Sequence, residues 1–229
     1  MNELSLRYKL KKLKQDWPNM TRQQRWEHLV AYYTWVIPVA LLIMIGIFLC
    51  VNFFIQNSKH TVISGAYVNV TISKDGKEYM TDGYKEHFGY TSWREAARLD
   101  EAKIQSGSAN YTMSYNTLMK LAAMSGEGEL DYLVMDKEGF DILFSQKAFK
   151  DLREVYTEQE LTALGDCVIY RAYSDTEEKI PIAIDISQTA FAKNNITAYS
   201  EKIYFSFAVN TPRVEQTKAF YEYLFAYKP

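Results

Sequence analysis

The chain has 229 residues, a formal net charge of −2, 48% hydrophobic and 15% aromatic residues, and two cysteines, a length that suits one or two domains with a core of their own. Residues 1–34 hold seven of the 26 bases and three of the 28 acids, about +4, which leaves a remainder of about −6; an acidic body lacks the basic footprint that nucleic-acid binding needs, so no nucleic-acid partner is expected. Cys50 lies inside an apolar run and Cys167 far beyond it, which excludes a disulfide framework and fits a bacterial envelope protein better than a small secreted domain.

Residues 1–34 read as a basic cytosolic tail and juxtamembrane helix. Leu4, Tyr8 and Leu13 stand among Lys9, Lys11, Lys12 and Lys14, a stretch that suits anionic lipid or simply sets topology. Thr21 and Gln24 have capping-box spacing, opening a helix whose Trp26, Leu29, Tyr32 and Tyr33 fall near one stripe.

From Leu29 to Ser58 there is no charged side chain. The greasy centre, 35–56, is long enough to cross the roughly 30 Å of a bilayer's hydrocarbon as a helix. Tyr32, Tyr33 and Trp35 mark one interface, and Phe53 and Phe54 lie near the other. A buried soluble helix would carry polar residues somewhere on its surface, and Trp35–Val51 has none. No small-x-small cleavage site follows, and Ile47-Phe-Leu49 before Cys50 is too bulky for a lipid-attachment signal. The basic flank is upstream, so the expected topology is a single-pass cell-membrane protein with a cytosolic N-terminus and an extracytoplasmic C-terminal domain. The bilayer is the first expected partner.

Residues 57–60 read as a linker and 61–229 as one extracytoplasmic α/β domain. Thr61–Ile72 alternates and is β-branched, predicting a strand. Lys74-Asp-Gly-Lys77 predicts a turn and Glu78–Phe88 a helix ending near Gly89. A strand over Ala96–Ile104, a helix over Asn116–Met124 closed by Gly126 and Gly128, and a buried strand over Leu130–Met135 come next. Lys137–Phe149 reads as a helix with Phe140, Leu143 and Phe144 inward, and Thr157 with Glu160 opens another. Strands at Cys167–Tyr173, Ile180–Ile186 and Lys202–Asn210 precede a final helix, Val214–Tyr227, with Phe220 and Leu224 on one face. Alternating strands and helices predict a three-layer α/β domain with a mostly parallel, mixed sheet.

The run Leu118–Asp136, followed by Phe140, Phe149-Lys-Asp-Leu152, Ile180-Pro-Ile-Ala-Ile-Asp185 and Phe205–Leu224, resembles extracellular solute-binding proteins of bacterial transporters. The whole chain is similar to uncharacterised single-pass membrane proteins of Firmicutes. The resemblance implies a type 2 periplasmic-binding-like lobe and a binding role beside a transport or envelope protein. That family has two lobes around a cleft, and the length here accommodates one.

His28, His60 and His87 share no metal-ligand spacing, no Gly-x-Ser-x-Gly is present, and Cys167 opens an apolar strand as a small hydrophobe. Gly126-Glu-Gly128 precedes a strand and reads as a helix stop, not a dinucleotide loop. No catalytic residue, metal or cofactor is therefore expected, and the chain does not read as an enzyme. Asn69, Asn110 and Asn195 each begin an Asn-x-Thr triplet, which chance supplies in a chain of this composition. In open α/β sheets ligands lie beyond the carboxyl ends of the strands. That rule selects Asn69, Thr71, Asp136, Asp185, Ser187 and Asn210 as a ligand crevice; the same residues also suit loop starts and helix caps. Tyr67, Tyr79, Tyr84, Tyr90, Tyr111 and Tyr115 suit either a sugar or peptide groove or the core edge. Two functions follow as expectations: a membrane-anchored binding or interaction module, or a scaffolding subunit that binds another protein and no small molecule.

Overall fold

The computed structural model describes residues 18, 20–33, 36–57, 60–105, 111–173 and 177–228, without the side chains of 28–29, 31–37, 56–57 and 111–113. The expected lipid-facing stretch from Leu4 to Lys14, Trp35, the junction at 34–35, Asn110 and the Tyr111 side chain lie outside these. Two compact units are present, Met1–Ser58 and Lys59–Pro229.

In the first unit, α1 (Arg22–Tyr33) opens on the expected capping box: Gln24 N donates to Thr21 Oγ1 at 3.4 Å and Thr21 N to Gln24 Oε1 at 3.0 Å. The second helix, α2 (Val36–Asn57), is apolar on every face, and the described side chains from Val39 to Ile55 are left largely exposed. Burying each in lipid is worth roughly 1.5–3 kcal/mol. Towards its C-terminal end Asn52 donates to Phe48 O at 3.0 Å and so meets its hydrogen-bonding need inside the helix. Pro38–Ile55 is long and apolar enough to cross a membrane.

The second unit is an α/β domain around a mixed six-stranded sheet of order β3-β1-β4-β8-β6-β5. Its strands are β1 (His60–Val68), β3 (Glu95–Ala102), β4 (Tyr132–Asp136), β5 (Val168–Arg171), β6 (Ile180–Asp185) and β8 (Ile203–Phe207), while β2 (Val70–Ile72) and β7 (Ile196–Ala198) form a separate antiparallel pair. Only β1–β3 and β1–β4 are parallel; β4–β8, β8–β6 and β6–β5 are antiparallel. The expectation of a mostly parallel sheet is thus corrected. Strand β8 follows β6 and β7 in sequence but inserts between β4 and β6 with reversed direction, and hydrophobic alternation carries no information on direction.

Helices cover both faces. Successive residues of β4 point to opposite layers: Tyr132 and Val134 join one core, Leu133 and Met135 the other. The first core lies under α3 (Lys74–Glu78, Tyr79–Gly83 and Tyr84–His87 in one run), α6 (Glu158–Leu164), α7 (Ala190–Asn195) and α8 (Val214–Phe225), through Met80, Tyr84, Leu161, Phe191, Phe220 and Leu224. The second lies under α4 (Tyr111–Gly126) and α5 (Lys137–Ser145), through Leu121, Phe140 and Leu143.

Several expectations shift locally. The strand over 61–72 breaks at Asn69, whose φ of 58° turns β2 out of the main sheet. Lys74–Lys77 is not a turn but the first part of α3, because the Ser73 hydroxyl caps it by accepting from Gly76 N at 3.0 Å. Helix α5 stops at Ser145, where Lys147 takes a φ of 54°, and Phe149 bridges to Ala208 instead. Cys167 is exposed in a 3-10 turn before β5, not packed as a small hydrophobe. His60 opens β1 and Asn57 ends α2, and the other two residues of the expected 57–60 linker, 58 and 59, lie outside the described residues. The capping box at Thr157 stands, with Glu160 N donating to Thr157 Oγ1 at 3.3 Å and Thr157 N to Glu160 Oε2 at 2.8 Å.

Candidate functional site

Strands β1, β3 and β4 run one way, β8 opposes β4, and β6 opposes β8, so β6 runs with β1. Their carboxyl ends bring Asn69, Asp136, Asp185 and Ser187 to one edge of the sheet, with Thr71 just beyond in β2. The chain moves from β1 to β3 on one side and then to β4 on the other. Beyond β1 and β4 is therefore the topological switch point where α/β sheets bind ligands.

That crevice is filled by protein. The Asn69 amide donates to Ile104 O at 2.6 Å and to Asp136 Oδ1 at 3.3 Å, while its oxygen accepts from Ile104 N at 2.8 Å. Asp136 also caps α5, accepting from Gly139 N at 2.8 Å. Both residues are buried, and a Cβ on Gly139 would come within 3.0 Å of Val68. Asn69 and Asp136 thus meet beyond the ends of β1 and β4 as a satisfied structural knot.

The other four divide. Asp185 accepts from Ser187 N at 3.0 Å and from the Ser187 hydroxyl, and pairs with Lys202 Nζ at 2.5 Å. Partial burial pushes its carboxyl upward, yet the Lys202 and Ser187 hydrogen bonds win and hold it below the ordinary carboxylate value. Ser187 in turn accepts from Ile203 N at 2.8 Å, so this pair fastens β6 to the start of β8. Thr71 is exposed opposite Thr197. Asn210 is the correction among the six. It follows antiparallel β8 and so lies at the opposite edge of the sheet. Outside Asp136, a shallow depression of about 610 Å³ is lined by Lys137, Asp141, Ser145, Ser200 and Tyr199, the last 95% exposed.

A second hollow lies elsewhere. A groove of about 640 Å³ runs beside α4 from Ser114 to Gly126, floored by Leu130 and Leu133 and walled by Leu118, Leu121 and Leu143. Leu121 anchors α4 on the sheet, while Leu118 and Met124 pack only partly, so the helix stands off the surface. Gln105, Gln146 and Asn210 supply amides around apolar walls, and the buried Ser125 hydroxyl has no hydrogen-bond partner among the described residues. Asn210 is the one predicted site residue there. The sequence predicts a helix over Asn116–Met124 through Leu118, Leu121 and Ala122, and no groove beside it. The residues that hinted otherwise were Ala122, Ser125 and Gly126, too small to fill the space between α4 and α5.

Of the six tyrosines, Tyr67 and Tyr84 are core, Tyr79 and Tyr90 pack against it, and exposed Tyr115 lines the groove. Among the described residues, no group of three or more His, Cys, Asp or Glu side chains could hold a metal ion. No protein-family model matches this sequence, and no curated protein or solved structure shows significant similarity to it.

Proposed function

We propose that this chain is a membrane-anchored binding module, with α2 in the bilayer, the basic N-terminal segment in the cytosol, and the α/β domain outside the cell. The domain takes a largely apolar ligand in the groove between α4 and α5. The observation that carries this reading is the groove: about 640 Å³ is within the roughly 300–1,000 Å³ of small-molecule sites, which combine apolar walls with a few orienting polar groups. The exposed apolar α2 and the upstream bases support the anchor and its direction. A solute-binding-like role beside a transporter or envelope protein accords with the α/β fold. The seat is lateral, since Asn69 and Asp136 fill the switch point.

The test uses residues 59–229, and among the described residues both cores of the domain are built from its own side chains. Thermal shift against fatty acids, sterols, aromatic acids and apolar peptides should give a stabilising class. Ala122→Trp, a substitution at an exposed groove position, should abolish that shift without lowering the unliganded melting temperature. A domain that no class stabilises, and that crosslinks to another protein in native membranes, would replace this reading with the scaffolding one.

A further inference from the structure

The sequence places Ile55, the last residue of the apolar run, five positions before His60, where the domain begins. His60 N donates to Arg94 O, and His60 pairs in register with Glu95, so the turn before β3 lies directly against the start of β1. That turn presents Trp93, 58% exposed, with the Arg94 guanidinium carbon 5.1 Å from its ring centroid. Phe88 adds a second exposed aromatic ring a few residues earlier.

The turn is held firmly. Ser92 N donates to Glu95 Oε2 at 2.9 Å, Arg94 N to Ser92 Oγ at 3.3 Å, and Glu95 N to Ser92 O at 3.0 Å. A lone exposed apolar residue needs no explanation. A fixed indole under a guanidinium, at the point where a chain emerges from an apolar span, does. Indole prefers the headgroup region, where its face is in hydrocarbon and its N–H in water. Arginine reaches from such a site to phosphate while its stem stays apolar.

We propose that the Trp93–Arg94 turn, with Phe88, is a lipid-docking surface that seats in the headgroup layer of the bilayer carrying the apolar run. The proposal rests on the reading that this run spans a membrane. Only residues 58 and 59 intervene in the sequence between Asn57 and His60.

The experiment uses the full chain with Trp17→Phe, Trp26→Phe and Trp35→Phe, leaving Trp93 as the sole indole. It is reconstituted in phosphatidylcholine vesicles whose acyl chains are brominated near the headgroup. Insertion is checked separately by resistance to alkaline carbonate, so a failed span and a failed docking surface give different results. Quenching of Trp93 emission by bromolipid, with a blue shift and protection from aqueous iodide, is expected. Inserted protein whose Trp93 is open to iodide and untouched by bromolipid would overturn the proposal. Protection from iodide without bromolipid quenching would also overturn it, because a protein surface would then be covering the turn.

Discussion

Arg213 Nε donates to Asp131 Oδ2 at 2.8 Å, and the carboxylate it meets is wholly buried. The same carboxylate accepts from Ser64 N at 2.8 Å and from the Thr211 hydroxyl at 2.6 Å, and Arg213 also reaches Gly128 O at 3.1 Å. One side chain thereby joins the middle of β1 to the starts of β4 and α8. Removing one member of a buried pair leaves an uncompensated charge, a loss of roughly 3–5 kcal/mol when desolvation is complete. Arg213 keeps some solvent contact, so Arg213→Ala should cost about 3 kcal/mol, or roughly 6–12 °C in melting temperature for a domain this size. Thermal unfolding of residues 59–229 measures it, and a shift below the error of the scan would show that water replaces the guanidinium.

Asn69 combines a left-handed backbone, φ 58°, with three hydrogen bonds to Ile104 and Asp136. The two contributions separate by substitution. Asn69→Gly frees the backbone but leaves Ile104 N–H and C=O unpaired; Asn69→Ala suffers the same loss and adds left-handed strain of roughly 1–2 kcal/mol. Alanine should therefore be the worse replacement by about 1 kcal/mol in denaturant unfolding. Equal losses would place all of the effect in the hydrogen bonds.

Gly65 sits in β1 beneath the Tyr132 ring, and a Cβ there would come within 2.1 Å of Tyr132 Cζ. Both residues are buried, and Tyr132 is itself stacked between Phe205 and Phe220, with ring centroids at 5.5 and 4.5 Å. The ring has no room to retreat, so Gly65→Ala should cost at least about 3 kcal/mol, the upper range for overpacking. In the Tyr132→Ala background the same substitution should cost far less. A double-mutant cycle with no coupling would remove the ring as the cause.

These residues show what could be read from sequence. Helix caps at Thr21 and Thr157, the strand through Leu130–Met135 and the layering of β4 follow from local patterns and were legible. The place of β8 was not, because pairing partners are chosen by long-range packing. Asn210 was misassigned for that reason: the carboxyl end of an antiparallel strand lies on the opposite edge. Asn69 and Asp136 meet in the structure, but whether two polar side chains face a ligand or each other depends on a positive φ that Asn permits without announcing. The groove was invisible because an incompletely packed helix face has the same periodicity as a filled one.

Glu160 carries the clearest pH signature. The Lys218 ammonium at 2.6 Å, with the Thr157 backbone and hydroxyl, holds its carboxyl at about 2, from an ordinary 4.5. A carboxylate depressed by folding contributes stability above its unfolded value and loses it as the pH falls through the folded one. The Glu160 contribution is thus intact above about pH 4.5 and fades towards pH 2. Asp185, depressed by Lys202 and Ser187, acts in the same direction. Lys218→Met should raise the Glu160 value in a carboxyl NMR titration and flatten the acid limb of melting temperature against pH. An unchanged titration would assign the depression to the cap alone.

The exposed Cys167 thiol offers a direct reading of topology. It lies in the α/β domain, whereas Cys50, the other cysteine, lies in α2. Thiolate is the reactive form, and thiolate is scarce in hydrocarbon. A membrane-impermeant maleimide added to intact cells stripped of their wall should therefore label the native chain, and Cys167→Ser should abolish that label. Labelling of Cys167 only after the cells are permeabilised would reverse the orientation drawn from the basic residues upstream of α2. The ligand groove would then face the cytosol.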